Sequence, residues 1–167
     1  VSTGQVIREV PVTPQLDAVL LGFRVFPLAL SPDGRRVAVA TWFYGQGERK
    51  DIPRARIRVF DTSTGTALWD IDNRVSYVGI SSTVFSHDGQ VLFTASDRLT
   101  LWDIPSGRKL GEFDDSRRYE RQHSSNYMQM ALSADGCTLA AGGTNTVIYV
   151  WAVRGCDKHV AVRLENK

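Results

Sequence analysis

The residue types best suited to metal binding or nucleophilic chemistry in this sequence are three histidines, His87, His123 and His159, and two cysteines, Cys137 and Cys156. A zinc site draws on ligands paired a few residues apart. These five are scattered instead. No Gly-x-Ser-x-Gly elbow, phosphate-cradling glycine loop or paired-carboxylate motif accompanies them. The expectation is a protein that is not an enzyme, with no catalytic residues, no metal site and no cofactor. Recognition chemistry is easier to find. Residues 42 to 56 run Trp42-Phe43-Tyr44-Gly45-Gln46-Gly47-Glu48-Arg49-Lys50-Asp51-Ile52-Pro53-Arg54-Ala55-Arg56, and aromatics beside arginine are what interface hot spots use. Residues 114 to 126 place Arg117, Arg118, Arg121 and His123 around Tyr119, a set able to dock a phosphate or an acidic peptide. Asp114, Asp115 and Glu120 sit among them, which also fits an ordinary solvated loop and argues against nucleic acid.

What positions these segments is a repeat. Leu30-Ser31-Pro32-Asp33-Gly34, Phe85-Ser86-His87-Asp88-Gly89 and Leu132-Ser133-Ala134-Asp135-Gly136 are three copies of one turn. Each Asp-Gly separates two short apolar runs, which is a hairpin signal because glycine reaches positive φ cheaply. These runs are strands a and b. A third strand c follows at Ile57 to Asp61, Leu99 to Asp103 and Val147 to Trp151, rich in β-branched and aromatic residues. After a turn at Gly65, Gly107 or Gly155 comes an outer strand d at Thr66 to Ile71, Arg108 to Phe113 and His159 to Leu164. Ser2 to Val10 aligns with Ser63 to Ile71, so the sequence opens on strand d of a preceding unit.

These residues resemble the WD40 family, whose propeller blades carry an apolar-Ser-Pro-Asp-Gly turn and a strand c ending in Trp-Asp, as Trp102-Asp103 does. Phe60-Asp61 and Trp151-Ala152 are degraded versions, and no Gly-His pair precedes any strand a, so the family's His, Ser/Thr, Trp and Asp cluster is incomplete here. Divergent propellers of this kind are similar to those of large bacterial proteins. The resemblance implies an all-β fold: a partial β-propeller of about three four-stranded antiparallel blades plus one leading outer strand. Its parts are the outer strand at 1–10, blade 1 at 11–71, blade 2 at 72–113 and blade 3 at 114–167. It also implies a scaffold that binds a protein or peptide partner. Propellers close with about four to eight blades. Three blades leave two open apolar faces, to be covered by remaining blades of a longer parent chain or by a second copy, and we expect a chain longer than this one.

Antiparallel strands send the b–c and d–a connections to one end of a blade and the a–b and c–d turns to the other. The long segments 11–25, 42–56 and 114–126 all fall at the b–c and d–a end, and long loops on a rigid scaffold are the usual seat of binding. The candidate partner-binding residues are therefore Trp42, Tyr44, Arg49, Lys50, Arg54, Arg117, Arg118, Tyr119 and Arg121. The alternative for Trp42 and Tyr44 is that they lengthen strands b and c and pack on the next blade.

Asp61-Thr62-Ser63-Thr64-Gly65-Thr66-Ala67-Leu68-Trp69 is similar to the Asp-x-x-Thr-Gly-x-x-x-Trp signature of quinoprotein propellers, which keeps open an enzymatic or ligand-binding propeller whose site forms only in the complete ring. It occurs once, so Trp69 is read as a wedge between blades. Cys137 begins strand b of the last blade and Cys156 lies just past its strand c, with residue 137 expected to face 152 or 153. A disulfide between them and two unrelated thiols both remain open. Thiols fit the cytoplasm, a bond an oxidising compartment.

Composition excludes other classes. With 43% hydrophobic and 23% charged residues, the chain has the make-up of a folded domain and not of a disordered one. Twenty basic and 18 acidic residues are interleaved for a net charge of +2, so no field is built to capture nucleic acid or an anionic membrane. Apolar runs such as Val19 to Phe23 are too short to cross a bilayer.

Overall fold

The computed structural model describes residues 6, 8–10, 24–44, 53–73, 79–113, 127–144, 147–153 and 164–165. All regular structure among these described residues is β. Blade 1 is β1 (Arg24–Leu30), β2 (Arg36–Tyr44), β3 (Pro53–Asp61) and β4 (Ala67–Asn73); blade 2 is β5 (Ser82–Phe85), β6 (Val91–Ala95), β7 (Leu99–Asp103) and β8 (Lys109–Phe113). Blade 3 is β9 (Tyr127–Leu132), β10 (Thr138–Gly143), β11 (Ile148–Val153) and β12 (Leu164–Glu165). Each blade is one four-stranded sheet in sequence order, antiparallel throughout. The first strands of the blades are neighbours, β1 beside β5 and β5 beside β9, so strand a is innermost.

The registers make the repeat exact enough to superpose residue by residue. Val37 pairs with Phe60, Leu92 with Trp102 and Leu139 with Trp151, each immediately after an Asp-Gly turn. In that turn Ser31 donates its hydroxyl to Asp33 and accepts from the Arg36 N–H, and Arg35 N–H donates to the same Asp33 oxygen. Ser86 with Asp88, and Ser133 with Asp135, repeat every one of these bonds. Gly34, Gly89 and Gly136 all have positive φ, which is why glycine recurs there.

Because side chains alternate along a strand, each sheet has two faces. The trailing face of blade 1 (Ala38, Ala40, Ala55, Ile57, Val59) packs against the leading face of blade 2 (Ile80, Phe85, Leu92, Trp102, Ile104). One step on, Phe93, Ala95, Leu99 and Leu101 of blade 2 pack against Tyr127, Leu139, Ala141, Trp151 and Val153 of blade 3. The core lies between blades. Each large apolar side chain buried there is worth about 1.5–3 kcal/mol, so a blade is held mainly by its neighbours.

Trp102 keeps a polar tie, donating its indole N–H to Thr94 Oγ1 at 2.9 Å. That bond ties strand c to strand b on the buried leading face of blade 2. Trp151 instead stacks on Tyr149 at 5.7 Å between centroids, with Tyr127 edge-on to both.

Candidate functional site

At the a–b and c–d end the turns lock the blades together. Gly89 lies beside Ser31 and Pro32 of the blade before it, and Gly136 lies against His87. Arg36 donates to the Gly89 carbonyl at 3.2 Å. His87 is thus part of a blade junction, and the Asp135 carboxyl is held below the usual range first by the Ser133 hydroxyl and then by the Cys137 N–H. In the c–d turns Asp61 accepts from Ser63 Oγ and from the Ser63 and Thr64 N–H groups, and Asp103 accepts from Ser106 in the same way. The Ser63 hydroxyl and these N–H groups pull the Asp61 carboxyl down from 3.8 to about 2. These turns are saturated with internal bonds and offer few free groups to a ligand.

Trp69 is the wedge that the sequence suggested. A Cβ placed on Gly107 of the next blade would lie 3.5 Å from the Trp69 ring, and Trp69 packs on the core between blades 1 and 2. Arg8 stands in the equivalent place against Gly65, at 3.4 Å. The quinoprotein-like stretch is therefore used for packing in this chain.

The b–c and d–a end is built differently. In blade 2 strands b and c end at the Ala95 and Leu99 pair, closed by a short turn in which Ser96 bonds Asp97 and Arg98. In blade 1 the pairing continues past the equivalent Ala40 and Ile57, through Thr41 with Arg56, Trp42 with Ala55 and Phe43 with Arg54, to Tyr44 with Pro53. Four more residues per strand carry the hairpin about 13 Å farther at 3.3 Å per residue. The segment expected as a loop from 42 to 56 is in this respect a strand-paired arm, because Trp42, Phe43 and Tyr44 favour a pleated ladder. Arg56 and Arg58 both bond Asp70 of strand d, at 2.5 and 2.9 Å, bracing the base of the arm. That brace was missed, although arginines two apart on one strand facing an acid on the next were its visible signal.

Of the candidate binding residues, Trp42, Tyr44 and Arg54 are thereby brought into one hairpin. Arg49, Lys50, Arg117, Arg118, Tyr119 and Arg121 lie outside the described residues, as do His123, His159 and Cys156. Cys137 is disulfide-bonded, and Val153 N–H donates to its carbonyl at 2.8 Å, where the antiparallel geometry expected residue 153 to be. Among the described residues no group of three or more His, Cys, Asp and Glu side chains is placed to hold a metal ion, and no helix is long and apolar enough to cross a membrane.

The WD domain, G-beta repeat family matches residues 116–152, which hold strands a to c of blade 3. Blade 3 therefore carries a WD40 repeat. The mouse (Mus musculus) U3 small nucleolar RNA-interacting protein 2 is 29% identical to this chain over 86 residues, 48% of the chain and 18% of that relative. Cell division cycle 20.6, cofactor of APC complex, from Arabidopsis thaliana is 29% identical over 104 residues, 60% of the chain and 22% of the relative. This chain thus spans about a fifth of the length of the curated relatives it matches.

Proposed function

We propose that the chain is a non-catalytic scaffold of the WD40 type that binds a protein or peptide partner through its b–c and d–a end, as part of a larger propeller. The observation that carries this reading is the paired arm of blade 1, which stands about 13 Å beyond the matching hairpin of blade 2 at 3.3 Å per residue. Trp42, Tyr44 and Arg54 on the arm, with Arg49 and Lys50 from the sequence between its two strands and Arg117, Arg118, Tyr119 and Arg121 from the sequence ahead of blade 3, supply its recognition chemistry. Aromatic and arginine side chains there bury large areas and bond carboxylates or phosphates bidentately. Two relatives have names that describe binding, one as an RNA-interacting protein and one as a cofactor of a complex. For this chain the interleaved charge favours the protein partner over nucleic acid.

The test is a peptide array of acidic, phosphorylated and neutral sequences probed with the wild-type chain, with Trp42→Ala/Tyr44→Ala and with Arg117→Ala/Arg118→Ala/Arg121→Ala. The expected result is at least a tenfold loss of binding to the best peptides, with the melting temperature unchanged. A large drop in melting temperature for the aromatic pair assigns Trp42 and Tyr44 to packing. Undiminished binding by both variants removes this end of the blades as the working surface.

A further inference from the structure

Each a–b turn carries, beside its structural role, a dipeptide prone to backbone rearrangement. In an Asp-Gly sequence the glycine nitrogen can attack the aspartate Cγ, because glycine has no Cβ to hinder the approach. The amide proton and the carboxyl hydroxyl leave together as water, and a five-membered succinimide closes. Water then opens the ring at either carbonyl. Opening at the former main-chain carbonyl leaves isoaspartate, in which the chain runs through Cβ and Cγ and is one carbon longer. Water is the only other reactant, and nothing is oxidised or reduced. Asp33-Gly34, Asp88-Gly89 and Asp135-Gly136 all have this sequence. All three aspartates are exposed, so burial does not shield them.

What surrounds these bonds is one set of four hydrogen bonds, present in every copy. In blade 2 the Gly89 N–H donates to the Ser86 carbonyl at 2.9 Å, so the nitrogen that must attack is already engaged. Ser86 Oγ donates to Asp88 Oδ1 at 2.6 Å, and the Gln90 N–H donates to the same oxygen at 3.0 Å. The Val91 N–H in turn donates to Ser86 Oγ at 2.9 Å and fixes the hydroxyl in place. The glycine N–H bond is 2.8 Å long at Gly34 and 2.9 Å at Gly136, and the serine–aspartate bond is 2.5 Å in both those turns. One serine therefore restrains both reacting groups, its carbonyl the glycine nitrogen and its hydroxyl the aspartate carboxyl. At Asp33 and Asp135 the serine hydroxyl, and after it the N–H two residues on, also hold the carboxyl below the usual range, and an ionised carboxylate has no hydroxyl to lose.

We propose that the three Asp-Gly bonds are latent modification sites kept closed by Ser31, Ser86 and Ser133, so that each isomerises to isoaspartate only when its own turn opens. The modification falls on the contacts that lock the blades. Gly89 lies beside Ser31 and Pro32, Gly136 lies against His87, and Arg36 bonds the Gly89 carbonyl. A chain one carbon longer moves the glycine out of these contacts, so a turn that has opened and isomerised no longer seats on the blade before it. The a–b end thus records blade opening in covalent form. This chemistry is independent of partner binding at the b–c and d–a end.

The experiment incubates the full chain in mildly alkaline buffer and maps its peptides by electron-transfer fragmentation, which separates isoaspartate from aspartate at each site. Breaking the glycine and serine hydrogen bonds before reaction slows it by about tenfold to a hundredfold. That retardation is expected at Asp33, Asp88 and Asp135 in the folded chain, relative to the chain unfolded in guanidinium. Ser133 is exposed, so Ser133→Ala perturbs the fold little. This variant is expected to speed isomerisation at Asp135 by about tenfold, with Asp33 and Asp88 at their wild-type rates as internal controls. Ser86→Ala is expected to do the same at Asp88 alone, and Ser133→Thr, which keeps the hydroxyl, to stay slow. Equal rates in the folded and unfolded chains overturn the proposal. So does an unchanged Asp135 rate in Ser133→Ala, or acceleration of all three sites together in that variant, since the shield is then the fold at large and not the turn serine.

Discussion

Gly136→Ala is the substitution that tests how the blades are locked. Two costs add at this position. Gly136 has φ +74°, a left-handed conformation that costs an L-residue about 1–2 kcal/mol. A Cβ there would also lie 2.7 Å from the His87 Cβ, closer than side-chain carbons approach, and a Cβ next to the backbone cannot swing aside. Forcing apart packed groups by such an amount costs typically about 1–3 kcal/mol. The expected loss is about 2–5 kcal/mol, which for a chain of this length lowers the melting temperature by roughly 4–20 °C. Gly34 is the internal control, since it has φ +70° in the same turn of blade 1 but no atom within 4 Å of its Cβ position. Gly34→Ala should lose only the conformational cost, about 1–2 kcal/mol. His87→Ala keeps the offending Cβ and should not rescue Gly136→Ala, whereas His87→Gly should. Scanning calorimetry of the four variants decides the matter. Equal losses for Gly34→Ala and Gly136→Ala, or rescue by His87→Ala, would refute the interblade clash.

Acid sensitivity and redox state give two further expectations. The folded Asp61 carboxyl is held at about 2 against an ordinary 3.8, so its contribution is full above the ordinary value and is lost as pH falls through the folded one. Asp61→Asn should flatten the stability curve between about pH 4 and about pH 2 in denaturant titrations, and an unchanged slope there counts against the turn as an acid-labile element. Asp33, Asp135 and Glu112 are lowered too, so part of the slope should persist in that variant. For the cysteines, we propose that Cys137 bonds Cys156, the sequence's other cysteine. Closing a loop of this size is worth about 3 kcal/mol. Reductant should then lower the melting temperature by roughly 6–12 °C, Cys156→Ser should do the same without it, and two free thiols in a non-reducing mass spectrum would end the idea.

The fold was legible because its constraints are local. Asp33-Gly34, Asp88-Gly89 and Asp135-Gly136 each demand a turn that few other residues can make, and three copies at blade spacing imply stacking. Strand ends were less legible: blade 2 is bounded by Asp97 and Asp103, which form turns, but nothing after Ala40 halts pairing in blade 1 until Gly45, so β2 ran on to Tyr44. The contacts between blades were legible only at Trp69, where size and a known motif coincide. His87 against Gly136 and Arg36 on the Gly89 carbonyl join residues 49 and 53 apart, and no pattern within one repeat announces them. The binding end is poorly legible for the same reason: its residues come from connections between strands, which the repeat does not constrain.

The departures from the WD40 pattern make physical sense as exchanges of one support for another. In blades 1 and 2 the last residue of strand c, Asp61 or Asp103, caps the c–d turn with two or more hydrogen bonds. Blade 3 has Ala152 at that register and cannot form the cap, and it is in this blade that Cys137, whose carbonyl holds the Val153 N–H, is disulfide-bonded. Likewise Thr94, which receives the Trp102 indole N–H in blade 2, is matched by Ala141 in blade 3, and Tyr149 and Tyr127 there enclose Trp151 with aromatic faces. Polar ties give way to covalent and aromatic ones while the register of strands b and c stays fixed. The register is what stacking requires, because it sets which residues reach the neighbouring sheet. The ties have only to hold each blade in that register, and any chemistry that does so will serve.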